Sequence, residues 1–449
     1  MGLHERQTPG IEYVTAPRET SYTGEYGKEI NLVLSQCALG PNRWVLKELQ
    51  RWRTPHGFYL GDAKYKSVKK TILEGWGLNI PQSEKYVRVH PDTQTAQEIF
   101  IDRPAIEEDQ VLVHGGGGAL GIEEAARVLK RLGYREILAP EYSFPYVDDF
   151  AERQGIRYRT IRTASHHPLD SLNQVLSMNP SEIEGKGFYN DYGNTPFGVA
   201  DAKLTREFVK KVAECGGIPI VDLAFAEVLG KTEFRNIIME VVGNGGIAIA
   251  SLSKTQGFPE ERGGYSFYNR AIIEAYNKRF PKRKGSPENT PFERHKVPFQ
   301  LHPETEEVMN QLFQLRKMPK DDGSAEQKCF AEVWAQEVAD YNEVTNYRMW
   351  LGFQKLGFRM PSQTDWRTPT KVIISDLPDL HQRLALVGLR TSSLIHYDQT
   401  LRDPRQGYGD SAVRLVTPPP EIYIDVVKRA AIAVEKDPQE IEEYMRNLE

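Results

Sequence analysis

The chain is expected to be an α/β protein: a large domain with a mostly parallel sheet sandwiched by helices, plus a smaller α+β domain built from both chain ends. Three observations predict this. Short apolar runs alternate with helical patterns from Val111 onward, a glycine-rich turn joins one such run to a helix, and 449 residues exceed what one simple core accommodates.

Taken in order, the first thirty residues are polar and punctuated by Pro and Gly, as in an extended arm. Val111-Leu112-Val113 reads as a strand leading to a helix over Ile122–Leu129. Strand Glu136–Ala139, helix Val147–Gln154, strand Gly187–Tyr189, helix Leu204–Ala213 and strand Ile218–Val221 continue the alternation, and Gly246–Ala250 is a further strand-like apolar run. Such alternation predicts a parallel sheet covered on both faces. Pro281–Ser324 breaks the rhythm: it is rich in Pro, Lys and Glu, carries one helical stretch near Glu304–Leu315, and reads as an insertion or lid. After Ala325 come a long helix to Gly357, strands near Val372–Ile374 and Val413–Val416, and an amphipathic helix over about Glu421–Glu435. The expected division is an arm and first part of the small domain (1–75), a large cofactor-binding domain (76–280), an insertion (281–325) and a C-terminal small domain (326–449).

The bulk numbers exclude some classes of function. With 39% hydrophobic and 27% charged residues the composition is that of a soluble globular protein, and a net charge of -5 offers no case for nucleic acid or an anionic membrane. The basic run Lys278–Lys284 reads as a solvated loop. Three scattered cysteines (Cys37, Cys215, Cys329) without C-x-x-C spacing argue against a disulfide framework or a zinc site and fit a reducing compartment. No apolar run approaches membrane-spanning length, and the first residues carry no signal core, so a cytoplasmic location is expected.

The most informative cluster is Ser251-Leu252-Ser253-Lys254, followed by Gly257 and Arg262-Gly263-Gly264. An isolated S-x-S-K would read as a surface lysine in a polar loop. Here an apolar strand delivers two hydroxyls and an amine into one loop, with a guanidinium eight residues later. Those groups suit a phosphorylated aldehyde: the amine can form a Schiff base, and the hydroxyls and arginine can hold the phosphate. Upstream, Gly116-Gly117-Gly118-Ala119-Leu120-Gly121 fits G-x-G-x-x-G after a strand, with Glu141 about twenty residues on. That is a respectable dinucleotide fingerprint, but glycines at a strand-to-helix turn admit any phosphate, and the residues further along decide.

Five separated segments, in order, resemble the class I/II aminotransferases, pyridoxal-phosphate enzymes of fold type I. Gly115–Gly118 resembles the phosphate-cradling turn, with Gly116, Gly117 and Gly118 as cofactor contacts. Pro140-Glu141-Tyr142 is similar to the element whose aromatic ring stacks on the cofactor. Asn194-Thr195-Pro196-Phe197-Gly198 looks like a variant, one residue longer, of the Asn-Pro-Thr-Gly segment. The resemblance makes Asn194 a hydrogen-bonding partner of the cofactor's phenolic oxygen and a neighbour of the substrate. Asp222 ends the strand where the family keeps the aspartate that pairs with the pyridinium nitrogen, and Ser251, Ser253, Lys254 and Arg262 complete the set. A carboxylate at Asp222 would keep the ring nitrogen protonated and make the ring an electron sink, while Tyr142 would supply a flat apolar face. Ile30–Pro41 is similar to the family's early strand and turn, and Val413-Arg414-Leu415 to the strand whose arginine forks onto the substrate carboxylate. Tyr59, with Tyr65 as a competitor, resembles the tyrosine that reaches the neighbouring subunit's cofactor phosphate, so a homodimer is implied.

One departure stands out. The family usually has tyrosine three residues after the aspartate, and this chain has Phe225. Loss of that donor is expected to raise the pKa of the Schiff base. Together with the longer Asn194 segment and the 281–324 insertion, it points to a pathway-specific enzyme. The function expected from the resemblance is transamination between an amino acid and a keto acid, with catalysis by Lys254, Asp222 and Tyr142. A lyase, β/γ-replacement or cyclising enzyme using the same cofactor stays open. A regulator on the same fold is disfavoured because the arm before Ile30 is short and not basic, and an NAD enzyme would leave the Lys254 cluster unexplained.

Overall fold

The computed structural model describes residues 30–32, 37–52, 67–89, 96–259, 262–280, 303–319, 324–397, 409–419 and 422–446. Tyr59, Tyr65, the first twenty-nine residues and 281–302 lie outside this description.

A seven-stranded sheet forms the centre, in the spatial order Val111–His114, Gly264–Tyr268, Ile247–Ser251, Ile218–Asp222, Gly187–Asp191, Glu136–Pro140, Arg157–Ile161. All neighbouring pairs from Ile247–Ser251 to Arg157–Ile161 are parallel. Gly264–Tyr268 runs antiparallel to both of its neighbours. The strands alternate between two cores because successive side chains point to opposite faces. Ile247 and Ile249 join Ile220 and Tyr189 on one face, beneath Ile122, Ala125 and Leu129 of helix Gly117–Leu132. Ala248 and Ala250 join Val221 and Phe188 on the other, beneath Phe208 and Val212 of helix Ala202–Glu214 and Phe234 and Ile238 of helix Lys231–Gly243. Both faces are therefore covered, as near-continuous apolar strands require.

This topology speaks against a dinucleotide fold. The strand preceding the glycine-rich turn sits at the edge of the sheet, beside an antiparallel neighbour, and not at the parallel centre where strand order reverses. Glu141 is buried and paired with His166 Nδ1 at 3.0 Å, so it is committed to a protein contact.

The smaller α+β part is a three-stranded antiparallel sheet of Thr370–Ile374, Ala412–Val416 and Ser392–Ser393, packed with helices Phe330–Lys355, Leu380–Leu386 and Tyr423–Glu435. Ile30–Asn31 pairs in parallel with Leu389–Arg390, which brings the N-terminal stretch into this unit. Among the elements the sequence did not make legible are the hairpin Gln82–Val89/Ala96–Arg103, the hairpin Arg316–Pro319/Ala325–Lys328 and the last helix Pro438–Arg446. Helix Pro303–Phe313, inside the stretch read as an insertion or lid, buries Val308, Met309, Leu312 and Phe313 in the main core. Among the described residues no helix is long and apolar enough to cross a membrane.

Candidate active site

The site is built at the carboxyl ends of the parallel strands, the usual ligand position in open α/β sheets. The alternation that places Tyr189, Ile220 and Ile249 on one face puts Asp191, Asp222 and Ser251, each two residues on, on the same face at the strand ends. Asp191 and Asp222 are directly paired in the register of adjacent strands.

Around the glycine-rich turn the expected phosphate groups come together. Gly116 precedes helix Gly117–Leu132, and Gly117 has φ +66° with its N–H donating to the Arg262 carbonyl at 2.6 Å. A methyl group on Gly117 would stand 3.5 Å from Ser253 Oγ and 3.6 Å from Ser251 Oγ, and one on Gly118 would touch Ser251 Cβ at 3.3 Å. The turn, both hydroxyls and the Arg262 backbone thus line one small space whose walls are free of Cβ atoms on the helix side. Gly264 opposite is required by approach: a Cβ there would lie 2.5 Å from the His114 ring and 2.7 Å from the Gly117 backbone. The Arg262 side chain is exposed and its φ is +50°.

Lys254 follows this cradle directly, with Nζ 5.6 Å from the centroid of the buried Phe225 ring. Burial is the main cause that lowers its pKa from 10.5 to about 8; Arg414 and Arg262 push the same way, while Asp222 and Asp191 oppose. A chain of buried hydrogen bonds holds the loop. Asn42 Nδ2 donates to Gln256 Oε1 at 3.0 Å, Gln256 Nε2 to Glu227 at 2.6 Å, Tyr265 Oη to Glu227 at 3.0 Å and Trp76 Nε1 to Tyr265 Oη at 3.1 Å.

Asp222 accepts from the Tyr189 hydroxyl on Oδ2 and from Ala224 N on Oδ1, both at 2.9 Å. Burial raises its pKa, opposed by those two hydrogen bonds and by Lys254. Asn194, at φ +20°, spans the longer turn: its Oδ1 accepts from Phe197 N and its Nδ2 donates to Tyr142 O, each at 3.0 Å. One Nδ2–H remains for other use. Tyr142 is buried with its ring edge-on to Phe197 at 5.4 Å. Arg414 is buried on the Ala412–Val416 strand, and its Nη1 donates to Tyr397 Oη beneath a cation–π contact of 5.1 Å.

Every expected site residue except Tyr59, which lies outside the described residues, thus belongs to elements that meet here. Three neighbours were not singled out beforehand: Asp191, Tyr189 and Tyr397. Asp191 carried a signal, since it ends Gly187–Asp191 just as Asp222 ends Ile218–Asp222. Tyr397 had none, because only the fold brings it beside Arg414. A separate cavity of about 740 Å³ lies between helices Lys231–Gly243 and Phe330–Lys355, away from Lys254, and its Lys231 is already paired with Glu332 at 2.7 Å.

The residues present fit pyridoxal phosphate. The cradle has space where a Cβ would stand, an amine with a depressed pKa follows it, and buried carboxyls wait at the strand ends, one oxygen of which, Asp191 Oδ1, has no protein partner.

Comparison with known proteins agrees. The sequence model of the family aminotransferase class I and II matches residues 59–281. Among solved structures, the histidinol-phosphate aminotransferase of Clostridium acetobutylicum superimposes with a TM-score of 0.59 at 13% identity, covering 93% of this chain and 99% of that one. Substrate-bound BacF of Bacillus subtilis gives 0.58 at 17% identity, with 90% of each chain covered. The aspartate aminotransferase of Thermus thermophilus with maleate gives 0.60 at 11%, covering 90% and 92%. At these identities the structures speak for the fold alone. No curated protein matches the sequence. The family match spans the segment that carries the lysine, the aspartate and the glycine-rich turn, and with this fold it marks the chain as a pyridoxal-phosphate-dependent transferase of fold type I, similar to the class I and II aminotransferases.

Proposed function

We propose that the protein is a pathway-specific amino acid aminotransferase. The observation that carries this reading is the convergence, at the strand ends, of an amine with a pKa of about 8, a buried acid and a phosphate-sized cradle. Gly116, Gly117, Gly118, Ser251, Ser253 and Arg262 would hold the phosphate of pyridoxal phosphate, Lys254 its aldehyde carbon, Tyr142 and Asn194 its ring, and Asp222 the ring nitrogen. Bound there, the cofactor supplies a ring that withdraws electrons from the substrate Cα.

The chain's own residues do the rest. Arg414, kept in place by Tyr397, binds the substrate α-carboxylate and so orients the Cα–H bond toward Lys254. The Lys254 amine, partly neutral near pH 7, takes the proton from Cα as a general base. Phe225 presents apolar surface beside that amine and restricts water around it. By family resemblance the working unit is a homodimer, with Tyr59 serving the neighbouring site, and the location is cytoplasmic.

The test is the visible spectrum of the protein reconstituted with pyridoxal phosphate, before and after a panel of amino acids. Lasting conversion of the cofactor to its amine form by some donor is expected, together with loss of turnover in Lys254→Ala at unchanged circular dichroism. Multiple turnover by Lys254→Ala would sink the assignment. A second reading, a lyase, β/γ-replacement or cyclising enzyme, is favoured by Phe225, which presents an apolar ring where a hydroxyl would tune the cofactor. It predicts transient spectral change with an altered amino acid and no lasting conversion.

A further inference from the structure

We infer that Asp191 and Asp222 act as one carboxyl pair that holds a single proton in the cofactor-free site and gives it up when the cofactor's protonated ring nitrogen arrives. This rests on the reading of the site as a pyridoxal-phosphate site. The two residues face each other across adjacent parallel strands, where neighbouring chains run about 4.8 Å apart. Both are buried, at 2% and 4% exposure. Two carboxylates so placed, away from water, cannot both carry charge without a large repulsive and desolvation cost, so one proton is shared between them.

The hydrogen bonds decide which member carries it. Asp222 has a donor on each oxygen, Tyr189 Oη and Ala224 N, and both favour the ionised form. Asp191 has a donor on Oδ2 only, Thr195 N at 2.6 Å, and its buried Oδ1 meets no protein partner. A proton on Asp191 Oδ1 is therefore the arrangement with least conflict. The charged groups around the pair agree. Burial first, then the Asp222 charge, push Asp191 up to about 7, against hydrogen bonding from Thr195 and the positive charge of Lys254. Tyr189, held neutral by burial and by both carboxylates, contributes no charge.

At mildly acidic pH pyridoxal phosphate carries a proton on its ring nitrogen, so it would enter as a pyridinium whose positive charge takes the place of the shared proton. The O–H bond of Asp191 breaks, its proton passes to solvent, and Asp191 and Asp222 are both left ionised around the pyridinium cation. The pair carries one negative charge before the release. Afterwards it carries two against one positive, so the site's net charge is unchanged and one proton is released to solvent per cofactor bound. Asp191 thus gives up its proton once, on loading.

The experiment is infrared difference spectroscopy of the cofactor-free protein at mildly acidic pH, with pyridoxal phosphate or inorganic phosphate added. The C=O stretch of a protonated carboxyl should vanish with pyridoxal phosphate and persist with phosphate alone. The same loss should be missing in Asp191→Asn, whose amide oxygen still accepts from Thr195 N. Glu227, also pushed up to about 7 by burial, gives a constant background that the difference removes. Calorimetry in buffers of different ionisation enthalpy should show the natural protein releasing one more proton per cofactor bound than the variant. Development of the visible cofactor band with no carboxyl loss in the natural protein, or with the same loss in Asp191→Asn, overturns the proton-sharing pair. Failure of the visible band to develop at all overturns the functional reading itself, and the release step with it.

Discussion

The depressed pKa of Lys254 gives the sharpest handle on this site. An ordinary lysine at 10.5 has about one amine in three thousand neutral at pH 7, whereas one at about 8 has roughly one in eleven, a gain of roughly 300-fold in nucleophile. The causes are structural: burial leads, the Arg414 charge adds to it, and Asp222 resists. The assay is trapping of pyridoxal, which lacks the phosphate, on the cofactor-free protein with borohydride, followed by mass spectrometry of the Lys254 peptide. The trapping rate should rise with pH and level off with an inflection near 8. Arg414→Gln removes a positive charge, so the inflection should move to higher pH; Asp222→Asn removes a negative one and should move it lower. A rate that climbs without inflection beyond pH 10 would mean that the amine titrates as an exposed lysine, and the argument from burial would fail.

Three further outcomes follow from the geometry. Tyr397→Phe keeps the ring under Arg414 but removes the oxygen that accepts from its Nη1, so that buried charge-assisted hydrogen bond is lost. A loss of about 1–3 kcal/mol in urea denaturation is expected, with a raised KM for the carboxylate substrate and little change in kcat; unchanged stability and KM would contradict the positioning role. Gly198→Ala places a Cβ at φ +66° only 2.0 Å from the Thr370 carbonyl oxygen, where backbone must move, so a loss above about 3 kcal/mol or no soluble protein is expected. The Asp191 carboxyl, raised from 3.8 to about 7, binds its proton more tightly folded than unfolded. Its contribution to stability is therefore fully present below the unfolded value and lost as pH rises through the folded one. Denaturation of the cofactor-free protein between those values should show stability falling with pH, and Asp191→Asn should flatten that slope; equal slopes would refute it.

Much of the fold was legible in the sequence because the parallel strands are buried on both faces and therefore read as apolar runs, such as Ile247–Ala250 and Ile218–Val221, set between amphipathic helices. The antiparallel Gly264–Tyr268 strand escaped notice, since its glycine and tyrosines resemble a loop until their neighbours His114 and Ser251 are known. The hairpins at Gln82–Arg103 and Arg316–Lys328 are rich in charge and carry little periodic signal.

The site divides in the same way. Lys254, Asp222, Asn194 and the glycine turn could be named because each belongs to a contiguous motif whose chemistry is local: a lysine after two serines, an acid ending a strand, glycines where a backbone must approach a phosphate. The sequence by itself determined these groups and their order. Only tertiary structure decided that Asp191 stands beside Asp222, that Tyr397 meets Arg414 from seventeen residues away, and that burial lowers the Lys254 pKa from 10.5 to about 8. Pairing across strands and removal from water are properties of the packed chain, set by register and by neighbours distant in sequence, and no local pattern of residues encodes them.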